Sequence, residues 1–371
     1  MNLYTACFLI AYFLISPTAH CFDGLVEKKT AQLNSFITAS GETIQNVQIG
    51  YESYGKLASD KHNVILVEHY FSGTSHAAGR YAGGEKPGYW DSIIGPGLAL
   101  DTKKYFVISS DTLTNINAKS PQVISTGPAS INPSTGKPYG MSFPALSLHD
   151  FVAAQKALLQ SLGIDHLYAV VGASSGAMQS MQWASDYPNT VDRVIAVIGP
   201  GTAMPKYGIA MLHLWSMPIL LDSHWAAGDY YGKEEPQVGL MEALQFVHFS
   251  SSQIEPYEQQ FSRDEVGAGL QKIGEDRARF ADANSFLYTA RAIQGFNVEA
   301  NLQKIRAKIL FISAESDLIF PPVLTKRAAK KLRAIGKKVS EFMIVGDGGH
   351  LDGLNKILQA APVMRAFLQA K

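Results

Sequence analysis

Short runs of apolar residues alternate with amphipathic segments along most of the chain. Each run is bounded by Gly, Pro or polar residues, which is typical of strands buried on both faces of a parallel sheet. The intervening segments have helical spacing, so the pattern predicts an α/β fold with a mostly parallel central sheet. The predicted inner strands are 64–67, 105–110, 167–171, 191–198, 308–314 and 342–345.

Two segments near the start differ, because polar and apolar residues alternate singly in 34–38 and 46–55. This pattern, around the turn Ser40-Gly41-Glu42, predicts antiparallel strands at the edge of the sheet. Helices are predicted at 146–162, 177–187 and 354–368.

Residues 200–300 interrupt this alternation, since they are rich in Met, Trp and Tyr at helical spacing and contain no clear strand. We expect a helical lid inserted into the core, with an apolar substrate site beneath it. The expected organisation is a signal peptide at 1–21, a core in two parts at 22–199 and 301–371, and the lid at 200–300.

The first 21 residues have the character of an export signal, with an apolar stretch from Leu3 to Ile15 and no charged side chain before Asp23. The stretch is shorter than the roughly 20 residues that a membrane-spanning helix needs. We therefore expect cleavage near Cys21 and a periplasmic or secreted protein. A lipid anchor on Cys21 and a buried N-terminal helix are the alternatives, and His20 disfavours the first.

The charge balance and the cysteine and histidine content limit the classes of partner and cofactor that we expect. The 371 residues include 32 basic and 32 acidic side chains, so charge gives no reason to expect nucleic acid or an anionic membrane as partner. Both cysteines, Cys7 and Cys21, lie in the signal segment, and no two histidines have His-Glu-x-x-His spacing. We expect no metal, no cofactor, no stable membrane span, and a small-molecule ester or acyl donor as substrate.

The run 167–171 leads into Gly172-Ala173-Ser174-Ser175-Gly176 and then into a predicted helix. Gly-x-Ser-x-Gly between a strand and a helix is typical of a nucleophile elbow, in which a sharp turn exposes the serine above the sheet. The alternative is a purely structural role, in which Ser174 caps the helix in a glycine-rich connection. Because an acid and a histidine follow in suitable positions, we favour Ser174 as a nucleophile.

Asp317 and His350 each come just after a predicted strand, where loops converge on the site of a parallel sheet. The chain order Ser, Asp, His is that of α/β-hydrolase triads. His350 would take the serine proton, and Asp317 would orient the imidazole. Three alternatives remain. Asp317 could only cap the following helix, Glu315 could be the acid, or His350 could pair locally with Asp347 or Asp352.

The loop after the run 64–67 is expected to supply half of an oxyanion hole. In this architecture one backbone N–H comes from such a loop and the other from the residue after the nucleophile. The candidates are Phe71 and Ser175. His69 and His76 lie nearby and are expected to shape the site rather than to react.

Several further stretches carry specific motifs, namely 49–55, 87–91, 94–97, 125–139, 172–179, 182–184, 228–231 and 317–322. Together with His350, these stretches resemble the homoserine O-acetyltransferase family over nearly the whole chain after the signal segment. The resemblance implies an α/β-hydrolase core with a helical lid, often a homodimer, and a triad at Ser174, Asp317 and His350.

Three departures from the family pattern shape the expected activity. No arginine occurs between Arg193 and Arg263, and Ser216 stands where the resemblance implies an arginine for the homoserine carboxylate. Leu351 follows His350, where the pattern has Asp. The signal segment also directs the chain away from acetyl-CoA. We therefore expect an exported serine esterase, with a true homoserine O-acetyltransferase as the alternative and a non-catalytic binding protein as a weaker one.

Overall fold

The central sheet consists mainly of parallel strands. The computed structural model describes residues 24–370, so the predicted signal peptide and both cysteines lie outside the described residues. The described strands are β1 (Lys29–Ile37), β2 (Thr43–Tyr54), β3 (Val64–Glu68), β4 (Ile94–Gly95), β5 (Leu100–Asp101), β6 (Phe106–Ser110), β7 (Ile131–Asn132), β8 (Lys137–Pro138), β9 (Ala169–Ala173), β10 (Arg193–Val197), β11 (Lys308–Ala314) and β12 (Val339–Ile344).

Eight of these strands form one sheet in the order β1-β2-β6-β3-β9-β10-β11-β12. The six from β6 to β12 in that order are parallel, and β1 and β2 form an antiparallel edge. All residues of β3 and β9 are buried, as their continuous apolar runs predict. The α/β architecture and its mostly parallel sheet are therefore as predicted.

Helices cover both faces of the sheet, so that the core has two apolar layers. The described helices are α1 (Leu148–Ser161), α2 (Ser175–Asp186), α3 (Lys206–Leu221), α4 (Gln237–Ser251), α5 (Ile254–Gln260), α6 (Val266–Ala278), α7 (Ala283–Gln294), α8 (Pro322–Ala334), α9 (Asp352–Asn355) and α10 (Ala361–Gln369). None of these helices has the length and apolar character needed to cross a membrane.

The parallel register brings the carboxyl ends of the central strands to one edge. Glu68 of β3 pairs with Gly172 of β9, and Ala173 of β9 pairs with Val197 of β10. On the other side, Ala314 of β11 pairs with Ile344 of β12. The loops that follow β3, β9, β11 and β12 therefore start side by side.

Five helices, α3 to α7, lie between β10 and β11 in the chain, and residues 206–294 contain no strand. They pack over the edge of the sheet at which the strand ends meet, since side chains of α3, α4, α6 and α7 line the same cavity as Ser174 and His350. These helices occupy the segment in which we expect the lid.

The C-terminal segment differs from the single helix predicted at 354–368. It contains α9, a 3₁₀ turn at Ile357–Ala360, and then α10, in which Pro362 occupies the first turn. Proline lacks an N–H and is favoured in the first turn of a helix, so Pro362 favours a new helix start within an amphipathic pattern that looks continuous.

Candidate active site

Ser174 occupies a strained turn between β9 and α2. Its backbone has φ 57° and ψ −113°, a region that non-glycine residues rarely adopt. The backbone packs closely here, because a Cβ atom on Gly172 would lie 2.2 Å from the carbonyl oxygen of Gly176. A Cβ atom on Gly176 would lie 2.2 Å from the carbonyl oxygen of Glu68. Glycine at both positions lets the elbow form against the end of β3.

His350 links Ser174 to Asp317 through a continuous chain of hydrogen bonds. Its Nε2 atom lies 2.8 Å from Oγ of Ser174. Its Nδ1 atom lies 2.7 Å from Oδ2 of Asp317. Because the carboxylate only accepts, Nδ1 carries the proton and Nε2 is free to accept the serine hydroxyl proton. All three side chains are buried.

Asp317 is held in place by its own loop. Its Oδ1 atom accepts hydrogen bonds from the backbone N–H groups of Ile319, at 2.8 Å, and Phe320, at 3.0 Å. The carboxylate therefore organises the turn before α8 with one oxygen and contacts His350 with the other. The two roles that sequence reasoning treated as alternatives are compatible.

The other candidate acids lie elsewhere. Glu315 is exposed. Asp347 forms an ion pair with Lys356 at 2.9 Å, and Asp352 accepts a hydrogen bond from the N–H of Gly348 at 3.0 Å. Asp317 is thus the carboxylate that contacts His350 in the described chain.

Phe71 and Ser175, the residues predicted to donate backbone N–H groups to a substrate oxygen, lie beside Ser174 in the described structure. Both residues line the cavity that contains Ser174, and neither N–H donates a hydrogen bond within residues 24–370. Ser175 is the first residue of α2, so its N–H is one of the unsatisfied donors at a helix start. Both N–H groups are thus available as donors beside Ser174, which an oxyanion hole requires.

His69 fixes the loop that carries Phe71. Its Nδ1 atom donates to the carbonyl of Tyr70 at 2.8 Å, while Nε2 accepts from the N–H of Thr112 at 3.3 Å and from the side-chain amide of Asn115 at 3.2 Å. Burial lowers the pKa of this imidazole, so the neutral form is favoured. His69 therefore stabilises the loop that carries Phe71.

His76 lies outside the cavity that contains Ser174. Its ring hydrogen-bonds to Glu52 at 3.0 Å and stacks on Tyr81 at 4.4 Å. Glu52, from the family-like stretch 49–55, is fully buried and also forms an ion pair with Lys28 at 3.2 Å. This stretch therefore builds a buried ionic network beside the site.

A cavity of about 270 Å³ opens beside Ser174. No Asp or Glu of the described chain lines it, and its wall is mainly apolar. Such a cavity suits a small, largely apolar ligand. Its apolar lining consists of Phe71, Met178, Ile198, Met204, Met211, Leu212, Trp215, Val247, Ile293, Ile319, Phe320, Leu351 and Leu354.

Ser216 does not line this cavity. Its hydroxyl donates to the carbonyl of Leu212 within α3 at 2.8 Å, and the side chain is buried. Lys206, the nearest cationic residue before Ser216 in the lid segment, is exposed at the start of α3. An arginine, Arg277, does line the cavity, and sequence reasoning missed it because nothing in the sequence of its charged helix shows that it faces the cavity.

Glu68 is a second residue that sequence reasoning missed. It lies fully buried below the elbow and accepts hydrogen bonds from the side-chain amide of Gln155, at 2.7 Å, and from the indole of Trp183, at 3.2 Å. Burial raises the pKa of this carboxyl to about 8, so it is protonated at neutral pH. It connects α1 and α2 to the strand that precedes the oxyanion loop.

Within residues 24–370, no three His, Asp or Glu side chains are grouped as metal ligands. The residues that meet in the cavity are a serine, an imidazole with its carboxylate, and two backbone donors. This set can carry out nucleophilic attack on an ester or thioester carbonyl.

Comparison with known proteins identifies the fold and the family. A family model described as the alpha/beta hydrolase fold matches residues 56–356. The chain is 37% identical over 367 residues to the homoserine O-acetyltransferase of Methanosalsum zhilinae, with 93% of this chain and 73% of that protein covered.

Two solved structures are similar over almost their full length. Esterase E22 has a TM-score of 0.89 and 42% identity, and the match covers 93% of this chain and 100% of that one. The homoserine O-acetyltransferase from Bacillus anthracis has a TM-score of 0.89 and 35% identity, with 94% and 98% covered. The chain therefore belongs to the homoserine O-acetyltransferase family of enzymes with the α/β-hydrolase fold.

Proposed function

We propose that the protein is a serine-dependent acyl-transfer enzyme that works through an acyl-enzyme on Ser174. The observation that carries the proposal is the hydrogen-bonded chain from Asp317 through His350 to Ser174, at 2.7 and 2.8 Å. Serine at its ordinary pKa is a weak nucleophile, and this arrangement supplies the base that activates it.

The reaction proceeds in two halves. His350 takes the proton of Ser174 as the oxygen attacks the substrate carbonyl, and the N–H groups of Phe71 and Ser175 bind the oxyanion. The tetrahedral intermediate collapses, and His350 gives its proton to the leaving alcohol or thiol. In the second half His350 takes a proton from the acceptor, whose oxygen attacks the acyl-enzyme carbonyl. When the second tetrahedral intermediate collapses, the bond between the acyl carbon and Oγ breaks and His350 returns the proton to Ser174.

Similarity to named relatives favours L-homoserine as the acceptor and acetyl-CoA as the donor. The curated relatives that match most of this chain at 37 to 38% identity are named homoserine O-acetyltransferase. This support reverses the preference that the sequence departures alone suggest, so acetyl transfer to homoserine is the first candidate reaction.

Hydrolysis is the second candidate, because one feature of the cavity favours it. Homoserine carries an ammonium group as well as a carboxylate, yet Leu351 follows His350 and the described lining contains no carboxylate to pair with an ammonium. An unpaired charge in a largely apolar cavity is costly. Esterase E22, at 42% identity, is also a relative whose name denotes hydrolysis.

The deciding experiment is to run both reactions on one preparation. One assay follows hydrolysis of 4-nitrophenyl acetate, and the other follows O-acetylhomoserine formed from acetyl-CoA and L-homoserine. Saturable transfer at submillimolar homoserine supports the first candidate. Ester hydrolysis with little or no O-acetylhomoserine supports the second candidate. If Ser174→Ala keeps both activities, the acyl-enzyme proposal itself is overturned.

We further propose that the protein is exported after cleavage of its first 21 residues. The support is the uncharged, apolar composition of that segment. Sequencing of the mature N-terminus and fractionation of cells test the proposal, with a start near Phe22 outside the cytoplasm expected. A start at Met1 in the cytoplasmic fraction would overturn it and would strengthen the case for acetyl-CoA as donor.

We also propose a homodimer through the outer face of α3 and α4. Large apolar side chains are exposed there, and an apolar face of this kind on a soluble enzyme is typical of an interface. Light scattering after size exclusion should give twice the chain mass, and Phe249→Glu should give the monomer mass. A monomeric wild type would contradict the proposal. The exposed residues are Tyr207, Leu214, Leu221, Val238, Phe246 and Phe249.

A further inference from the structure

Arg277 carries a positive charge at the wall of the cavity that contains Ser174. It lies in the last turn of α6 and lines the cavity together with Ser174 and His350. Its guanidinium bridges two elements: Nη1 donates to the carbonyl of Leu244 in α4 at 3.1 Å, and Nη2 donates to Oγ of Ser72 at 2.7 Å. Ser72 directly follows Phe71, so the charge lies beside the proposed oxyanion loop.

The charge of Arg277 lacks a protein counterion in the described residues. Its two hydrogen bonds go to neutral oxygens, and no Asp or Glu of residues 24–370 forms an ion pair with it. Burial lowers the pKa of the guanidinium, and the nearby phenol of Tyr70 acts in the opposite direction. The neighbouring basic residues of the same segment are different, because Lys272 and Arg279 both pair with Asp276, at 2.9 and 3.0 Å. Arg277 is half-buried, and a partly desolvated guanidinium without a carboxylate is an unfavourable arrangement unless a ligand completes it.

A second group beside Arg277 is also incompletely satisfied. His248 lines the same cavity, and its buried Nε2 atom has no hydrogen-bond partner in the described chain. Burial and the charge of Arg277 lower the pKa of this imidazole. The electrostatic environment of this wall thus disfavours a further positive charge and favours a negative one.

We propose that Arg277 is a specificity-determining residue that binds a carboxylate carried by the substrate. A guanidinium offers two parallel N–H donors to a carboxylate, and an apolar surrounding strengthens that contact. The substrate is then an ester or thioester with a carboxylate on either its acyl or its alcohol side. The inference rests on the proposed acyl-transfer function and specifies the substrate class of the same cavity.

Paired esters test the two sources of the carboxylate. On the acyl side, mono-4-nitrophenyl glutarate is compared with 4-nitrophenyl pentanoate. On the alcohol side, 4-acetoxybutanoate is compared with pentyl acetate. The quantity measured is the ratio of kcat/KM for the anionic ester to that for the neutral ester of each pair.

The wild type should favour the anionic member of one pair, and that pair identifies the side that carries the carboxylate. Arg277→Gln should lower this ratio about tenfold or more, as expected for loss of a charge-assisted contact. Arg277→Lys should keep part of it. Arg279→Gln, two residues away on the exposed side, is the matched control and should leave the ratio unchanged.

A purely structural role for Arg277 gives a different result, because both esters of a pair would then lose activity alike and the ratio would stay constant. That outcome, or a wild type with no preference for either anionic ester, overturns the inference. Thermal unfolding of each variant checks that it is folded, and Arg277→Lys keeps the test valid if Arg277→Gln does not fold.

A binding measurement separates this inference from the proposed function. Calorimetry on Ser174→Ala with monomethyl glutarate needs no turnover. Binding that Arg277→Gln abolishes supports the carboxylate site even if no ester is turned over. Absence of binding, together with normal ester hydrolysis, would overturn the carboxylate site and leave the acyl-enzyme proposal intact.

Discussion

Nε2 of His350 lies 2.8 Å from Oγ of Ser174, although 176 positions separate the two residues in the chain. The contact forms because β9 and β12 run parallel in one sheet and end at the same edge. If it is catalytic, a fluorophosphonate probe should label Ser174. Ser174→Ala should abolish labelling, and kcat for ester hydrolysis should fall by at least about 10³-fold.

His350→Ala should be nearly as damaging, since base and nucleophile act as a unit. Mass spectrometry of the labelled peptide identifies the modified residue. The exposed His213, on α3, provides a control: the probe should label Ser174 in His213→Ala as it does in the wild type. Undiminished labelling of Ser174→Ala would refute the assignment.

The backbone conformation of Ser174 predicts an unusual order of stability. Ser174→Ala and Ser174→Gly both remove the hydroxyl, but only glycine relieves the strain of φ 57°. We expect the glycine variant to be more stable than the alanine variant by about 1 kcal/mol, the reverse of the usual order. Urea unfolding of the two variants measures the difference, and an alanine variant of equal or greater stability would argue against a strained elbow.

Asp317 should be needed for the rate rather than for substrate binding. Asp317→Asn places a donor where Nδ1 of His350 needs an acceptor, so kcat should fall about 10³- to 10⁴-fold with a smaller change in KM. Asp347→Asn is the matched control, because Asp347 pairs with Lys356 at the surface. It should retain kcat within about twofold. Equal losses in the two variants would point to a general effect on the fold.

Glu68 should make stability fall as pH rises. Its pKa is about 8 in the folded protein and close to the ordinary value of 4.5 when unfolded, so folding takes up a proton between these values. The free energy of unfolding should therefore decrease across this window, by up to about 1.4 kcal/mol per pH unit, and show no further effect of Glu68 above it.

Glu68→Gln removes this titration while keeping the size of the side chain. Urea unfolding of wild type and variant from pH 5 to 8 should show a steeper loss for the wild type. Glu255→Gln, at an exposed position, serves as the control and should follow the wild type. Parallel curves for wild type and Glu68→Gln would contradict a protonated Glu68.

The sheet and the three residues that meet in the site could be predicted because their signals are local. Each central strand is a continuous apolar run, and Ser174, Asp317 and His350 each follow such a run. The parallel register then brings the strand ends together without further information. The same reasoning places Phe71 and Ser175 beside Ser174, since both follow shortly after the ends of β3 and β9, and their role as oxyanion donors stays a prediction.

Arg277 and Glu68 could not be predicted, because their surroundings come from distant parts of the chain. Glu68 ends β3 and is buried by Gln155 of α1 and Trp183 of α2. Arg277 is in a helix with several charged residues, and only its contacts with Leu244 and Ser72 single it out. Pairing of this kind depends on how helices pack, which hydrophobic spacing does not specify.

Two parts of the chain build the cavity, and one supplies the proposed catalytic groups while the other supplies much of the surrounding wall. The reacting groups stand on loops at the ends of sheet strands, and the elbow among them is locked by contacts between backbone atoms at Gly172 and Gly176. Much of the opposite wall comes from helices between 206 and 294. Mutations in these helices can therefore change the substrate specificity while the proposed catalytic groups, Ser174, His350 and Asp317, keep their positions.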